Sequence, residues 1–241
     1  MMIDIANKYQ DEIGEIVEAC HRCAELGYVT SSGGNISMRV DDNVVLITPT
    51  KTPKRIMRFQ DICAVDLGGN ILFAPEGKKP TGETPFHIRI LRKRPDVKAV
   101  VHSHPPVLTG FAIANVDLLT KAFLPEPIIE VGPILTVNYG TPLSEALSEQ
   151  FDAVIEKSNG FLMENHGTVF LSPVSVFEAV EIMQMSECMA QSILVALQLG
   201  NAKPIKSEYV KEMDQVISIR NLTMPGTIGK FQSASDLYNI D

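Results

Sequence analysis

Three histidines stand where their side chains could meet at one metal ion. His102 and His104 are separated by one residue and follow a Val-rich segment that predicts a buried strand. In an extended segment, residues i and i+2 point to the same side, so both imidazoles can converge. His166 follows a second apolar segment and precedes Gly167, which permits a sharp turn. Three imidazoles with an open fourth position are typical of catalytic zinc, so we expect one divalent metal ion, zinc, per subunit.

Glu83 is the carboxylate that the sequence offers to this site. It precedes a helix predicted to begin near Pro85, and that helix leads into the strand of His102. A carboxylate at such a place could complete the metal site and carry protons as a general acid/base. An H-x-H pair also arises by chance, so spacing alone leaves a purely structural reading open. His21 and His87 lie in helical patterns and are interpreted as packing residues.

Alternating helical and extended patterns must position these residues. Helices are predicted at about residues 4–27, 85–94, 104–114, 142–156 and 173–199, and strands at about 36–40, 44–48, 64–66, 71–73, 97–101, 128–131, 134–137 and, as a hairpin, within 160–171. The polar residues from about 204 onward predict an irregular tail. Because repeats, low-complexity segments and linkers are absent from the sequence, we interpret residues 1–241 as a single domain.

Composition limits the partners that this chain could bind. The net charge of -8 argues against nucleic acid and anionic membranes, which require basic surfaces, but leaves a small anionic substrate open. Apolar runs of the ~18 residues needed to span a bilayer are missing from the sequence. Four cysteines without a disulfide-type framework, and an acidic N-terminus unlike a signal peptide, predict a cytoplasmic protein.

Five short motifs occur in the order seen in one known family. They are Gly33-Gly34-Asn35-Ile36-Ser37, Ile47-Thr48-Pro49-Thr50, Glu83 with Phe86-His87, Val100-Val101-His102-Ser103-His104, and Asn165-His166-Gly167. Together they resemble the class II aldolase/adducin family over roughly residues 10–200. The resemblance implies an α/β fold, a three-layer α/β/α sandwich around a mostly antiparallel central sheet. It also implies a homotetramer with active sites between subunits.

The resemblance assigns roles to individual residues. It implies that His102, His104 and His166 bind the metal, and that Glu83 touches it and serves as the catalytic acid/base. Substrate binding is implied for two loops and the residues before Glu83, namely Gly34, Asn35, Thr50, Lys51, Thr81 and Gly82. Lys51 and Lys54 could serve an anionic group of the substrate as point charges, or could be solvated loop lysines.

The implied reaction is metal-dependent aldolase cleavage of a sugar phosphate or related hydroxy-ketone, through an enediolate that the metal stabilises. A decarboxylase acting on a hydroxy-acid is the main alternative, followed by an epimerase or dehydratase and by a non-catalytic adducin-like module. Aldolases of the family use a tyrosine proton donor after the H-x-H pair, where this chain has Phe123. The donor is left open, and the candidates are Glu126, Glu130 and a C-terminal tyrosine of a neighbouring subunit, Tyr209 or Tyr238.

Overall fold

An eight-stranded sheet forms the centre of the protein. The structure, a computed structural model, describes residues 5–240, so the start of the predicted first helix at residue 4 lies outside the described residues. The strands are β1 (Asn35–Asp41), β2 (Val44–Ile47), β3 (Cys63–Val65), β4 (Ile71–Phe73), β5 (Ala99–Ser103), β6 (Leu135–Val137), β7 (Gly160–Met163) and β8 (Gly167–Ser172). Their order in the sheet is β4-β3-β2-β1-β5-β8-β7-β6.

Helices cover both faces of this sheet. They are α1 (Ile5–Lys8), α2 (Gln10–Glu25), α3 (Thr84–Lys93), α4 (Pro106–Ala114), α5 (Pro125–Glu130), α6 (Glu145–Glu149), α7 (Val176–Gln198), α8 (Ser207–Arg220) and α9 (Ala234–Leu237). Neighbouring strands are antiparallel except β6 and β7, which are parallel. The α/β class and the mostly antiparallel central sheet are therefore confirmed.

Alternate residues of the strands feed two separate cores. On β2, Leu46 faces a cluster shared with α2, α4 and α7, whereas Val45 and Ile47 face a cluster shared with α3 and α6. This alternation follows from the two-residue period of a strand. Because each face of the sheet is apolar and is covered by helices, the chain forms the expected three-layer sandwich.

Most of the predicted strands are confirmed, including the hairpin within 160–171, with one shift that matters for the site. The strand predicted at 97–101 runs from Ala99 to Ser103, so His102 lies inside the strand rather than after it. It is paired on both sides, with Asn35 of β1 and Val169 of β8. Ladders on both sides hold the backbone of His102 more rigidly than a loop would.

Three predictions of local structure are wrong. The strand predicted at 128–131 is helix α5, which begins at Pro125, a residue favoured at the first position of a helix. The tail predicted to be irregular from about 204 contains helices α8 and α9. The sequence of α8 shows little apolar periodicity because only two of its residues, Val210 and Ile217, are buried, and these lie two turns apart. The helix predicted at 142–156 is only α6, followed by a 3₁₀ turn over Gln150–Ala153.

The buried guanidinium of Arg94 joins this C-terminal segment to the sheet-bearing part of the chain. It donates to the carbonyls of Ile155, Ser158 and Gly226, and it forms an ion pair with Asp96. The interpretation of residues 1–241 as one domain stays a prediction. Within residues 5–240, none of the helices has the length and hydropathy that crossing a membrane requires.

Candidate metal centre

His102 is held in one tautomer by its neighbour strand. Its Nδ1 lies 2.8 Å from the carbonyl oxygen of Thr168 on β8, and a carbonyl can only accept, so Nδ1 carries the hydrogen. The Nε2 atom of the neutral ring is then left with a free lone pair. A histidine that donates its other nitrogen to a backbone carbonyl is the common arrangement among metal ligands.

His104 and His166 complete the cluster; His104 lies just after β5, and His166 lies in a turn. The backbone N–H of His104 donates to the carbonyl of Tyr28 at 2.7 Å, which fixes the chain just after β5. His166 lies in the turn between β7 and β8, where Asn165 adopts a left-handed φ of 53°. One ligand atom from each of the three histidines lies within 4.8 Å of the others, close enough for a single ion to contact all three.

Burial keeps the imidazoles of His102 and His104 neutral. It lowers the pKa of His102 to about 3, and the nearby His166 lowers that pKa further. It also lowers the pKa of His104 to about 3, assisted by the other two imidazoles. Neutral imidazole is the form that binds a metal, so His102 and His104 need not lose protons at neutral pH to bind one.

The Glu83 carboxylate faces the same cluster. It lies directly before α3, and its two oxygens contact different histidines: Oε2 lies 3.4 Å from Nε2 of His102, and Oε1 lies 3.5 Å from Nε2 of His166. Glu83 is only 7% exposed. A buried carboxylate needs a positive partner, and the described cations form no ion pair with it. A metal ion among the imidazoles would supply the missing charge.

The donor set fits a divalent metal. Three neutral nitrogens and one carboxylate match the ligands that zinc prefers, and four is its usual number. The Nδ1 atoms of His104 and His166 are buried, and neither has a hydrogen-bond partner within residues 5–240. Buried polar atoms of residues that serve only packing usually have hydrogen-bond partners, so these two unpaired nitrogens favour a metal-binding role. The four-residue metal assignment stays a prediction that this geometry supports.

Asn35 connects the first predicted substrate loop to Glu83. Its Nδ2 donates to Oε2 of Glu83 at 2.7 Å. The preceding Gly34 has a φ of +71°, and a Cβ there would lie 2.9 Å from the carbonyl oxygen of His102. Only glycine fits this position without displacing the strand of the metal ligand. The structure therefore places Gly34 and Asn35 directly beside the histidine cluster.

The other predicted substrate residues lie in two joined loops. Thr50 donates its N–H to the carbonyl of Lys79, and Thr81 donates to the carbonyl of Thr48. Thr81 also accepts the N–H of Glu83 through its hydroxyl at 3.3 Å, which brings this pair of loops to the site. Three predicted residues, Thr50, Lys51 and Gly82, are exposed. Substrate binding by these residues stays a prediction.

Lys54 differs from Lys51 by being buried. Its ammonium group donates to the carbonyls of Ser32 at 3.3 Å and Thr52 at 3.2 Å, so it ties the two substrate loops together. Burial lowers its pKa, and Glu83 is among the groups whose charge opposes that shift. Among the described residues, no carboxylate lies within ion-pair distance of its ammonium group.

Phe123 does not replace the missing tyrosine. It is partly buried and packs against the core shared by α2, α4 and α7. The candidate donor Tyr238 is also in a core, against α8 and α9, and burial raises its pKa. The proton donor to a leaving aldehyde is therefore not identified among these side chains.

His87 and Ser37 belong to the surroundings of the site, although neither is among the predicted site residues. The helical pattern predicts a packing residue at position 87, but both ring nitrogens of His87 are hydrogen-bonded, one to Ser37 and one to Asn35. Two spacings could have indicated this. His87 follows Glu83 by one helical turn, and Ser37 follows Asn35 by two residues, which places it on the same face of β1.

The chain belongs to the class II aldolase and adducin N-terminal domain family, whose sequence model matches residues 14–194. Among its relatives, an L-fuculose phosphate aldolase from Methanococcus maripaludis is 36% identical over 153 residues, covering 64% of this chain and 80% of the relative. A 3-oxo-tetronate 4-phosphate decarboxylase from Haemophilus influenzae is 34% identical over 148 residues, covering 60% and 69%.

A solved structure shows the same fold. A structure of L-fuculose 1-phosphate aldolase aligns with a TM-score of 0.77 at 21% identity, covering 86% of this chain and 96% of that one. The family resemblance and the class II aldolase-like fold expected from the motifs are thereby confirmed. Named relatives include both an aldolase and a decarboxylase, so the family does not choose between these two reactions.

Proposed function

We propose that the protein is a metal-dependent lyase that cleaves a carbon–carbon bond of a phosphorylated hydroxy-ketone, with Glu83 as the acid/base. The observation that carries the proposal is the position of the Glu83 carboxylate, buried and within 3.5 Å of Nε2 of both His102 and His166. A divalent metal bound there, which we propose to be zinc, would supply Lewis-acid stabilisation of the negative charge that bond cleavage leaves on the substrate.

Glu83 can move a proton at this place. In retro-aldol cleavage, the hydroxyl beside the breaking bond loses its proton, the bond electrons pass to the ketone fragment, and an aldehyde leaves. That ketone fragment then gains a proton. A carboxylate that is buried beside the metal ligands and held by Asn35 is positioned to take or return one of these protons.

The substrate is proposed to be anionic. Lys54 is buried, and its side-chain nitrogen donates to two carbonyl groups, which belong to the two loops that the resemblance assigns to substrate binding. A phosphate on the substrate would provide the counter-ion. Both relatives named above act, by their names, on phosphate esters.

Decarboxylation of a hydroxy-acid is the second candidate. Phe123 favours it, because a reaction that releases carbon dioxide needs no proton donor for an aldehyde, and this side chain packs into the core. The electrons of the broken bond would pass to an oxo group beside it, as the name of the Haemophilus relative suggests. The site that stabilises negative charge is the same in both reactions.

A substrate screen with zinc-loaded protein distinguishes the reactions. We expect ketose 1-phosphates to give an aldehyde and a ketone phosphate, measured by a coupled dehydrogenase. Phosphorylated 3-oxo acids would instead give carbon dioxide if the second candidate is right. If a chelator lowered neither activity, or if the purified protein retained no divalent metal, the proposal of a metal-dependent lyase would be contradicted.

Glu83→Gln tests the acid/base role. The amide keeps the shape and a metal-facing oxygen but cannot carry the proton, so we expect kcat to fall ~10²–10⁴-fold with most of the zinc retained. Glu76→Gln, an exposed turn residue, is the matched control and should keep kcat. Unchanged turnover of Glu83→Gln, with metal bound, would show that another group moves the proton.

The assembly and location are proposals as well. We propose a homotetramer with active sites between subunits, which the family resemblance implies. The cysteines Cys20, Cys23, Cys63 and Cys188 are free, in keeping with the proposed cytoplasmic location.

A further inference from the structure

A chain of buried hydrogen bonds runs from β1 through α3 to the Glu83 carboxylate. Ser37 Oγ lies 2.7 Å from Nδ1 of His87, and Nε2 of His87 lies 2.5 Å from Oδ1 of Asn35. Asn35 Nδ2 then donates to Glu83 Oε2 at 2.7 Å. Ser37 and His87 are fully buried, and Asn35 is 5% exposed, so water does not compete for these bonds.

The carboxylate of Glu83 at the end of this chain determines which group donates and which accepts in every hydrogen bond of it. A carboxylate only accepts, so Asn35 must turn its amide nitrogen to Glu83 and its oxygen to His87. The oxygen requires a donor, which makes Nε2 of His87 the protonated nitrogen. Burial holds the pKa of His87 well below its usual value, so the ring is neutral and carries one hydrogen. Its Nδ1 therefore accepts from the Ser37 hydroxyl.

We propose that His87 is a positioning residue that sets the amide orientation of Asn35 and, through it, the rotation of the Glu83 carboxylate. This inference rests on the proposed function of Glu83. The two ends of an asparagine amide have nearly the same shape, so packing alone selects between them weakly. Without the Nε2–H of His87, the amide could turn its oxygen toward Oε2, and two acceptors would then face each other.

The position of His87 explains why a histidine serves here. It lies one turn after Glu83 on α3, and its ring reaches β1 between Ser37 and Asn35. A neutral imidazole offers one acceptor and one donor on opposite sides of a rigid ring, which is what Ser37 and Asn35 require. The ring also stacks on Phe86 with centroids 4.5 Å apart, which fixes its plane.

A structural role alone predicts a different pattern of mutational effects. If His87 only fills the core, then the volume of the side chain matters and its nitrogen atoms do not. His87→Gln places an amide nitrogen near the original Nε2 and can still donate to Asn35. His87→Leu fills the space without a donor, and the two variants therefore separate positioning from packing.

For zinc-loaded protein, we expect His87→Leu to lower kcat ~10–100-fold while zinc content is retained, the usual range for partners that orient metal-site groups. His87→Gln should recover most of the lost kcat. His21→Leu is the matched control and should leave kcat unchanged. It removes a partly buried histidine of α2 that is hydrogen-bonded to the carbonyl of Met57. Equal losses of kcat in the Leu and Gln variants would overturn the proposal.

A double-mutant cycle tests whether His87 acts through Asn35. Since the proposal places both residues in one chain, His87→Leu should lower kcat little further in an Asn35→Ala background. Losses that multiply in the double variant would contradict the proposal. Metal content and the unfolding midpoint of each variant show whether it is folded and loaded.

The tautomer can be measured even where a variant fails to fold. In wild-type protein labelled with ¹⁵N-histidine, long-range proton–nitrogen correlation spectra should show His87 with Nε2 protonated and Nδ1 unprotonated at neutral pH. A ring protonated at Nδ1, or at both nitrogens, would overturn the proposal. This readout does not depend on turnover, so it distinguishes failure of the positioning role from failure of the proposed lyase activity.

Discussion

The imidazole of His104 packs directly against the backbone of Gly167. A Cβ at Gly167 would lie 2.6 Å from Cδ2 of His104 and 2.8 Å from the carbonyl oxygen of Ser103. Contacts this short are not tolerated, so an added methyl group must push the ring or the strand away. The glycine that lets the chain turn after His166 therefore also makes room for His104, a second predicted metal ligand.

At the residue scale, we expect Gly167→Ala to weaken zinc binding ~10-fold or more and to lower the free energy of unfolding by about 1–3 kcal/mol, the usual cost of overpacking. Gly110→Ala is the matched control. It lies inside α4 with open space around it, so it should raise stability by about 0.5–1 kcal/mol and keep the metal. Zinc titration and thermal unfolding measure both effects. Unaltered zinc affinity in Gly167→Ala would show that His104 does not depend on this packing.

Spacing in the sequence predicts contacts between residues that are close in the sequence. It does not predict contacts between residues that only the fold brings together. His102 and His104 are two residues apart on an extended segment, and that geometry is written in the sequence. Asn35 and Glu83 are 48 residues apart, and their hydrogen bond exists only because β1 and α3 meet. His87 has the same limitation, since a buried histidine on a helix looks like a packing residue until its partners on β1 are known.

At the scale of elements, α4 begins immediately after the second histidine and is capped by a distant glutamate. Glu187 of α7 is buried, and its two carboxylate oxygens accept the N–H groups of Val107 and Leu108. Because Pro106 has no N–H, these are the first two free amides of the helix. The negative charge also suits the positive end of the helix dipole.

We expect Glu187→Ala to lower the free energy of unfolding by about 2–3 kcal/mol, because it removes hydrogen bonds to a charged group and leaves buried amides unpaired. The start of α4 would also loosen, and with it His104, so zinc affinity should fall. Gln191→Ala, an exposed change one turn further along α7, is the control and should alter neither quantity. Denaturant unfolding of metal-free and zinc-loaded protein separates the two effects. Full stability of Glu187→Ala would contradict the capping role.

Elements were predictable where their apolar pattern was long or continuous. The continuous apolar run of β2 and the long helical pattern of α7 predicted both elements within a few residues. Helix α5 was mistaken for a strand because its Ile128 and Ile129 are β-branched, and β-branched residues favour strands unless tertiary packing decides otherwise. Ile128 packs against α8 and α9, a contact that sequence-local reasoning could not supply.

At the scale of the whole molecule, the buried imidazoles couple folding to pH. The pKa of His102 and of His104 is lowered by burial to about 3, below the ~6.5 of an unfolded chain. Between these values the unfolded chain binds protons that the folded metal-free protein does not. Stability contributed by the neutral rings is therefore fully present above about pH 6.5 and is lost as the pH falls toward 3.

We expect the free energy of unfolding of metal-free protein to fall by up to about 1.4 kcal/mol per pH unit for each of these histidines as the solution is acidified. His104→Gln removes one of the two groups and should flatten that slope, while His21→Gln, outside the cluster, should keep it. Zinc should raise the unfolding temperature at neutral pH and lose this effect on acidification, because protons compete for the same nitrogens. A slope that is equally steep in His104→Gln would place the coupling of folding to pH elsewhere in the molecule.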